Sequence, residues 1–142
     1  MAPFSAWLAS RGLETLFCRV EQQSQSAMTI AQFLQDHPQI DKVHYPGLEN
    51  GPAHEIAVKQ MRKFGGLVSF QVKGGAPSAI NVASRVKTFT TATSIGGVES
   101  LLEHRPSVEG PKTKTPQGLL RASIGLEHVD DLINDLDRAL RG

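Results

Sequence analysis

Arg121 stands inside Leu119-Leu120-Arg121-Ala122-Ser123, a strand-like run of otherwise apolar or small residues in a chain of 142. A guanidinium in such a run must reach solvent or meet an anion, because an unpaired buried charge is very costly. Its planar fork of donors suits bidentate capture of a carboxylate. Two readings of Arg121 therefore stand at this point: it binds an anionic ligand, or it pairs with one of the chain's own acids. A Thr-rich stretch, residues 90–94, runs directly into Ser94-Ile95-Gly96-Gly97 and is the other segment that is hard to dismiss.

The remaining reactive residue types point to quieter roles. His37, His44, His54, His104 and His128 never fall at His-x-x-x-His spacing, and no cysteine cluster accompanies them. No metal site is expected, and structural or surface roles are assigned to most of these histidines. Cys18 lies among Leu16, Phe17 and Val20 and reads as a small buried hydrophobe rather than a nucleophile. Gly65-Gly66, Gly74-Gly75 and Gly96-Gly97 match neither a phosphate loop nor a dinucleotide fingerprint. Lys112 and Lys114 fall in a Pro-rich stretch and read as solvated.

Composition narrows the classes further. Fifteen Lys+Arg against fourteen Asp+Glu leave a net charge of +1, with 39% hydrophobic residues. That balance argues against broad electrostatic binding of nucleic acid. No apolar run approaches the ~20 residues that span a bilayer. The first residues lack the basic patch and apolar core of a signal peptide. One cysteine cannot form an internal disulfide, so a reducing, cytoplasmic setting is the default.

Periodicity supplies the elements that must position Arg121 and Ser94. Residues 4–35 read as helix, with apolar spacings Leu13-Leu16-Phe17-Val20 and Ala27-Ile30-Ala31-Leu34. Gly12 predicts a break or kink nearby, or a continuous helix packed closely there. Val43–Tyr45 reads as a strand, Glu49–Pro52 as a loop, and His54–Met61 as a short helix. Leu67–Val72 is the strongest strand. A helix starting at Pro77 runs to Phe89, residues 88–95 are β-prone, and Val98–Leu102 is a strand or irregular. Residues 105–118 carry three Pro and two Gly and read as a mobile loop. Leu119–Ile124 is a strand, and Val129–Leu140 is an amphipathic helix. The expected class is α+β: a small mixed or antiparallel sheet covered by helices on one face, in a single domain of residues 1–142. Residues 1–37 form its long N-terminal helical segment and residues 38–142 its α+β body.

These motifs together resemble the Cys/Met-metabolism family of pyridoxal-phosphate (PLP) enzymes: the cystathionine γ-synthases, γ-lyases and β-lyases, methionine γ-lyase and the homocysteine-forming sulfhydrylases. The resemblance is carried by PFSAWLASRGLETLFCRVEQ, VHYPGLENGPAHEIAVKQM, FGGLVSFQVKGG, FTTATSIGGVESLLEH and LLRASIGLEHVDDLINDLDRAL, in order along the chain. It is to the C-terminal third of the family alone. The resemblance implies the C-terminal small domain of a fold-type I PLP enzyme, in which Ser94 and Arg121 hold the substrate's α-carboxylate.

Departures limit what carries over. Thr93 stands where γ-synthases and γ-lyases often place an acid that bears on the distal end of the substrate. The stretch after Glu103-His104-Arg105-Pro106 is shortened. The family's Schiff-base lysine, its stacking aromatic, its aspartate at the pyridine nitrogen and most of its phosphate cradle lie upstream of anything matched here. No PLP bound by this chain alone and no catalysis by it are therefore expected. Three readings remain open: a catalytically silent stand-alone domain, one half of a split enzyme completed by a separate large-domain chain, and a docking or regulatory module. An exposed apolar patch at Phe4, Trp7 and Leu8 would fit docking or a homodimer; the other reading is that this helix folds back onto the chain's own core.

Overall fold

The computed structural model describes residues 1–49 and 53–142, so the loop expected at Glu49–Pro52 falls, from residue 50 onward, outside the described residues. The elements run α1 (Pro3–Glu14), α2 (Leu16–Gln35), β1 (Ile40–His44), α3 (His54–Gln60), β2 (Leu67–Val72), α4 (Gly75–Arg85), β3 (Thr90–Thr91), β4 (Leu101–His104), α5 (Arg105–Glu109), β5 (Leu119–Ser123) and α6 (Val129–Arg141). The class is α+β, as the pattern predicts. No helix among the described residues is long and apolar enough to cross a membrane.

The strands form one mixed sheet in the order β1-β2-β5-β4-β3. All neighbours are antiparallel except β3 and β4, which run parallel. Alternation along each strand sorts the side chains onto two faces. Val68, Phe70 and Val72 of β2, Leu120 and Ala122 of β5, and Leu102 of β4 are buried in one core cluster. The apolar stripes of three helices close over them: Ala27, Ile30, Ala31 and Leu34 of α2, Ala79, Val82 and Ala83 of α4, and Leu132, Leu136, Ala139 and Leu140 of α6. The opposite face carries Ser69, Gln71, Leu119 and Arg121, all only half-buried.

The break expected near Gly12 falls at Thr15 (φ −109°, ψ 8°), three residues further on, while other sequence readings are corrected. A Cβ at Gly12 would meet nothing within 4 Å, so the close-packing reading of that glycine fails. The Arg19 guanidinium seals the junction by donating to the Gly12 carbonyl at 2.9 Å and to the Thr15 hydroxyl. No residue of α1 is buried, so this helix does not fold back onto the core. Cys18, with the same stripe, is exposed rather than buried.

Further along, α4 starts two residues before Pro77 and stops at Arg85 instead of Phe89. The reason is Asp135, whose carboxylate accepts the backbone N–H groups of Lys87, Thr88 and Phe89 at 2.7–3.2 Å and draws them out of the helix. The β-prone stretch 88–95 pairs only at Thr90 and Thr91, and the strand placed at 98–102 runs from Leu101 to His104. The expected mobile loop 105–118 opens with α5, where Pro106 suits the first turn. Its remainder is pinned: the Thr113 and Thr115 hydroxyls donate to Glu109, and the Gln117 carbonyl lies 2.7 Å from His104 Nε2.

Candidate functional site

Arg121 and Glu103 face each other across the sheet. The register pairs Arg121 of β5 with Ser69 of β2 on one side and Glu103 of β4 on the other. Alternation places all three on the face opposite the core. Arg121 Nη2 lies 2.7 Å from Glu103 Oε1, and the same oxygen accepts from Arg105 Nη1 at 2.8 Å. Arg105 extends the network through Nη2 to Glu109 at 2.7 Å. Thus Arg121 does pair with an acid of its own chain. That pair engages one nitrogen of a fork that carries five N–H donors, so it orients the guanidinium without saturating it.

Glu103 is the group most altered by this setting. It is buried, which by itself pushes its carboxyl pKa up. The Thr93 hydroxyl, the Arg105 donor and the charges of Arg121 and Arg105 outweigh burial and hold it below the usual carboxylate range. Oε2 is buried without a hydrogen-bond partner of good geometry. Glu109, at the end of α5, is held down to about 2 by the Thr113 and Thr115 hydroxyls and by Arg105. Thr93 and Glu103 border a cavity of about 400 Å³ between α4 and α5, with Ile80, His104 and Val108 among its walls.

Ser94 is exposed in the irregular segment after β3, and no hydrogen bond to it is present among the described residues. The segment is nevertheless fixed close to Arg121's strand. Gly96 N–H donates to Ser123 Oγ at 3.2 Å, two positions along β5 from Arg121 and on the same face. Gln23 of α2 donates to the Gly97 carbonyl at 2.7 Å, and Leu126 N–H to the Val98 carbonyl at 2.8 Å. The Ser100 amide and hydroxyl each donate to the Glu127 carboxylate at 2.7 Å. The structure therefore gathers Thr93, Glu103 and Arg121 into one cluster and tethers the Ser94 loop to the same strand, with Ser94 itself outside that cluster. Glu103, Arg105 and Glu127 were missed from sequence. A lone carboxylate in the apolar run Leu101-Leu102-Glu103-His104 was the available signal, as the counterpart of a lone arginine in β5.

Residues 1–141 match the Cys/Met metabolism PLP-dependent enzyme family. The chain belongs to that family. Among curated relatives, it is 44% identical to the cystathionine gamma-synthase of Mycobacterium tuberculosis (strain ATCC 25618 / H37Rv), over 97% of this chain and 37% of that protein. It is 43% identical to the cystathionine beta-lyase of Coxiella burnetii, over 98% of this chain and 38% of that one. The crystal structure of metB from Corynebacterium glutamicum superposes with a TM-score of 0.91 at 43% identity, covering 97% of this chain and 37% of that one. The chain thus spans little more than a third of the length of the relatives it matches. Two relatives named for different reactions are almost equally similar, so identity does not select a reaction.

The family's cofactor needs a lysine to link to, and the lysines on this chain do not fit that task. Lys42, Lys59, Lys63, Lys73, Lys87, Lys112 and Lys114 are all exposed. Lys63 borders a cavity of about 420 Å³ with Arg62, Ser24 and Thr29. Its ammonium is ion-paired with Glu21 at 2.7 Å. Among the described residues no group of His, Cys, Asp and Glu could hold a metal ion.

The Glu103–Arg121 pair makes a measurable claim. Arg121 is about a quarter exposed, so its pairing is partly screened by solvent. Glu103→Ala is expected to cost about 1–3 kcal/mol in urea unfolding, because two guanidiniums lose their shared acceptor. A double-mutant cycle with Arg121→Ala should return a coupling of about 1 kcal/mol. Strictly additive losses would show that the two groups are neighbours without interacting.

Proposed function

We propose that this chain supplies the substrate-carboxylate face of a Cys/Met metabolism PLP enzyme. Arg121 and Ser94 hold the α-carboxylate of an amino-acid substrate, and Thr93 lies toward the substrate's distal end. The observation that carries this reading is the Arg121 guanidinium, oriented by Glu103 on the sheet face left open by the core helices, with donors to spare. The tethering of the Ser94 loop to Ser123 supports the pairing of the two residues.

On this reading the substrate class is a sulfur amino acid or its precursor, handled in carbon–sulfur bond making or breaking. The chain alone takes no stable PLP and is catalytically silent, because the lysines it offers are solvated and scattered. Chemistry needs a cofactor-bearing polypeptide, joined in a longer chain or supplied separately. The one thiol, exposed Cys18, suits a reducing, cytoplasmic setting.

The test is a titration of the purified chain with PLP, followed by borohydride reduction and mass spectrometry of its peptides. Scattered, substoichiometric labelling of surface lysines is expected, with no defined visible band. Stoichiometric trapping on one lysine would overturn the silent reading. In a second arm, a cofactor-bearing portion is joined to the chain and activity is followed. Arg121→Ala should then raise KM for the amino acid by about 30–150-fold, the loss of a charge-assisted pair worth about 2–3 kcal/mol. An unchanged KM would overturn the carboxylate assignment.

A further inference from the structure

We propose that the cavity between α4, β3 and α5 is a binding site for a small primary ammonium with an apolar body. The inference goes beyond the carboxylate reading and needs neither a cofactor nor a ligand on Arg121.

The walls set the body of the ligand. Ile80 and Ala83 of α4 and Val108 of α5 line a space of about 400 Å³. An apolar cavity of about 150 Å³ already takes benzene, so this one has room for a ring or a short branched chain beside a polar head. Glu103 sets where that head goes. The guanidiniums of Arg105 and Arg121 both hold its Oε1, while Oε2 is buried without a hydrogen-bond partner of good geometry. A buried carboxylate oxygen left in that state is costly, and a donor entering the cavity beside it removes the cost.

The other polar side chains around the cavity fix the head's chemistry. Each hydroxyl has one proton to give. Ser84 gives its proton to the Asn81 carbonyl at 2.8 Å, and Thr91 to the Ala83 carbonyl at 3.0 Å. His104 Nε2 lies 2.7 Å from the Gln117 carbonyl, which can only accept, so in the neutral imidazole Nε2 carries the proton. Nδ1 is then the acceptor, and the Ser107 hydroxyl donates to it at 2.7 Å. The Thr93 hydroxyl is a donor to Glu103. These side chains therefore have lone pairs left for a ligand and no spare proton. An anion or a carbonyl would set lone pair against lone pair. An ammonium carries three donors and no acceptor, which is the complement of this lining. Among the described residues no Lys or Arg lines the cavity. The charges of Arg105 and Arg121, beyond Glu103, are balanced by Glu103 and Glu109.

Titrating the chain with benzylammonium at neutral pH, while following its amide NMR spectrum, tests this. Saturable shifts with a millimolar Kd are expected at Thr91, Thr93, Ser107 and Val108. Benzoate, the same ring with an anionic head, should leave those amides in place. Any benzoate shift confined to Arg121 and its neighbours on β5 belongs to the carboxylate reading, so the two readings fail separately. Glu103→Gln keeps the volume, removes the charge and should weaken benzylammonium roughly tenfold. Val108→Phe fills the cavity from a side chain that is 49% exposed, so the fold is kept while binding is lost. Three results would each overturn the proposal: no saturable shift, benzoate or benzyl alcohol binding as well as benzylammonium, or a Val108→Phe chain that binds like the wild type.

Discussion

Asp135→Ala is expected to lower the unfolding free energy by about 3–5 kcal/mol, a large share of the roughly 5–15 kcal/mol that holds a domain together. The carboxylate is buried and collects three consecutive backbone N–H groups, those of Lys87, Thr88 and Phe89, together with the Arg138 guanidinium. Alanine leaves those N–H groups without an acceptor in the joint between α4 and β3, and each unsatisfied donor costs about 1–3 kcal/mol. Burial raises the Asp135 carboxyl pKa, but the three N–H donors and Arg138 outweigh it and hold the group below its ordinary value. Because the folded value is the lower one, the unfolded chain binds the proton more readily. The stabilisation is complete above the unfolded pKa of about 3.9 and drains away as pH falls through the folded value. Urea titrations at neutral and acidic pH should therefore separate wild type from Asp135→Ala widely at pH 7 and bring them together in acid. A gap that stays constant with pH would mean that the carboxylate's charge plays no part.

Gly125→Ala is expected to cost about 2–4 kcal/mol and to loosen the loop that carries Ser94. The added Cβ would lie 2.3 Å from the Val98 carbonyl oxygen and 2.6 Å from the Glu99 carbonyl carbon. Neither is the free end of a flexible side chain, so the backbone itself must move. The movement breaks Leu126 N–H to Val98 O and strains the Ser100–Glu127 pair, two of the ties that hold residues 98–100 against the segment that follows β5. Hydrogen exchange should speed up at Gly96, Ser100 and Leu126 while the amides of β2 keep their protection. Gly118→Ala is the control, because its Cβ would meet the Val72 carbonyl at 2.5 Å, on the other side of the sheet's centre. It should destabilise globally without a selective change in the 96–100 loop. Equal exchange patterns in the two variants would refute a local role for Gly125.

The parts of this fold that could be read in advance are those where one periodicity rules a whole segment. Leu67–Val72 alternates strictly, and β2 has those bounds. Val129, Leu132, Ile133, Leu136 and Leu140 form one stripe, and α6 packs it inward. What stayed hidden depends on partners distant in sequence. The end of α4 is set by Asp135, some fifty residues on, so local propensity carried the expected helix too far. Which acid meets Arg121 is a question of register, and register appears only when β4 and β5 are laid side by side. The stripe Leu16, Phe17, Val20 misled in the opposite sense, taking Cys18 with it. An apolar stripe meant for a partner and one meant for the core have the same spacing, and only the fold tells them apart. For the site, the internal-acid reading of Arg121 holds: Glu103 occupies one nitrogen of the fork, and the other donors remain for the ligand proposed above.

The order of the strands also governs when this chain can become structured at all. β5 lies between β2 and β4 at the middle of the sheet, yet it begins at Leu119 of 142 residues. Its partner β2 ended at Val72, so the central pairing closes a loop of nearly fifty residues. Such closure is slow compared with forming local helices. While the chain is being synthesised, β1 and β2 can form only a hairpin-like pair with one open edge, and α2 has no finished surface to cover. The edge of β2 stays open until β5 arrives, and an unpaired strand edge of this kind is prone to aggregation. A stop codon between His104 and Leu119 would therefore split the sheet at its centre, leaving β1-β2 and β4-β3 unjoined, rather than trim an edge.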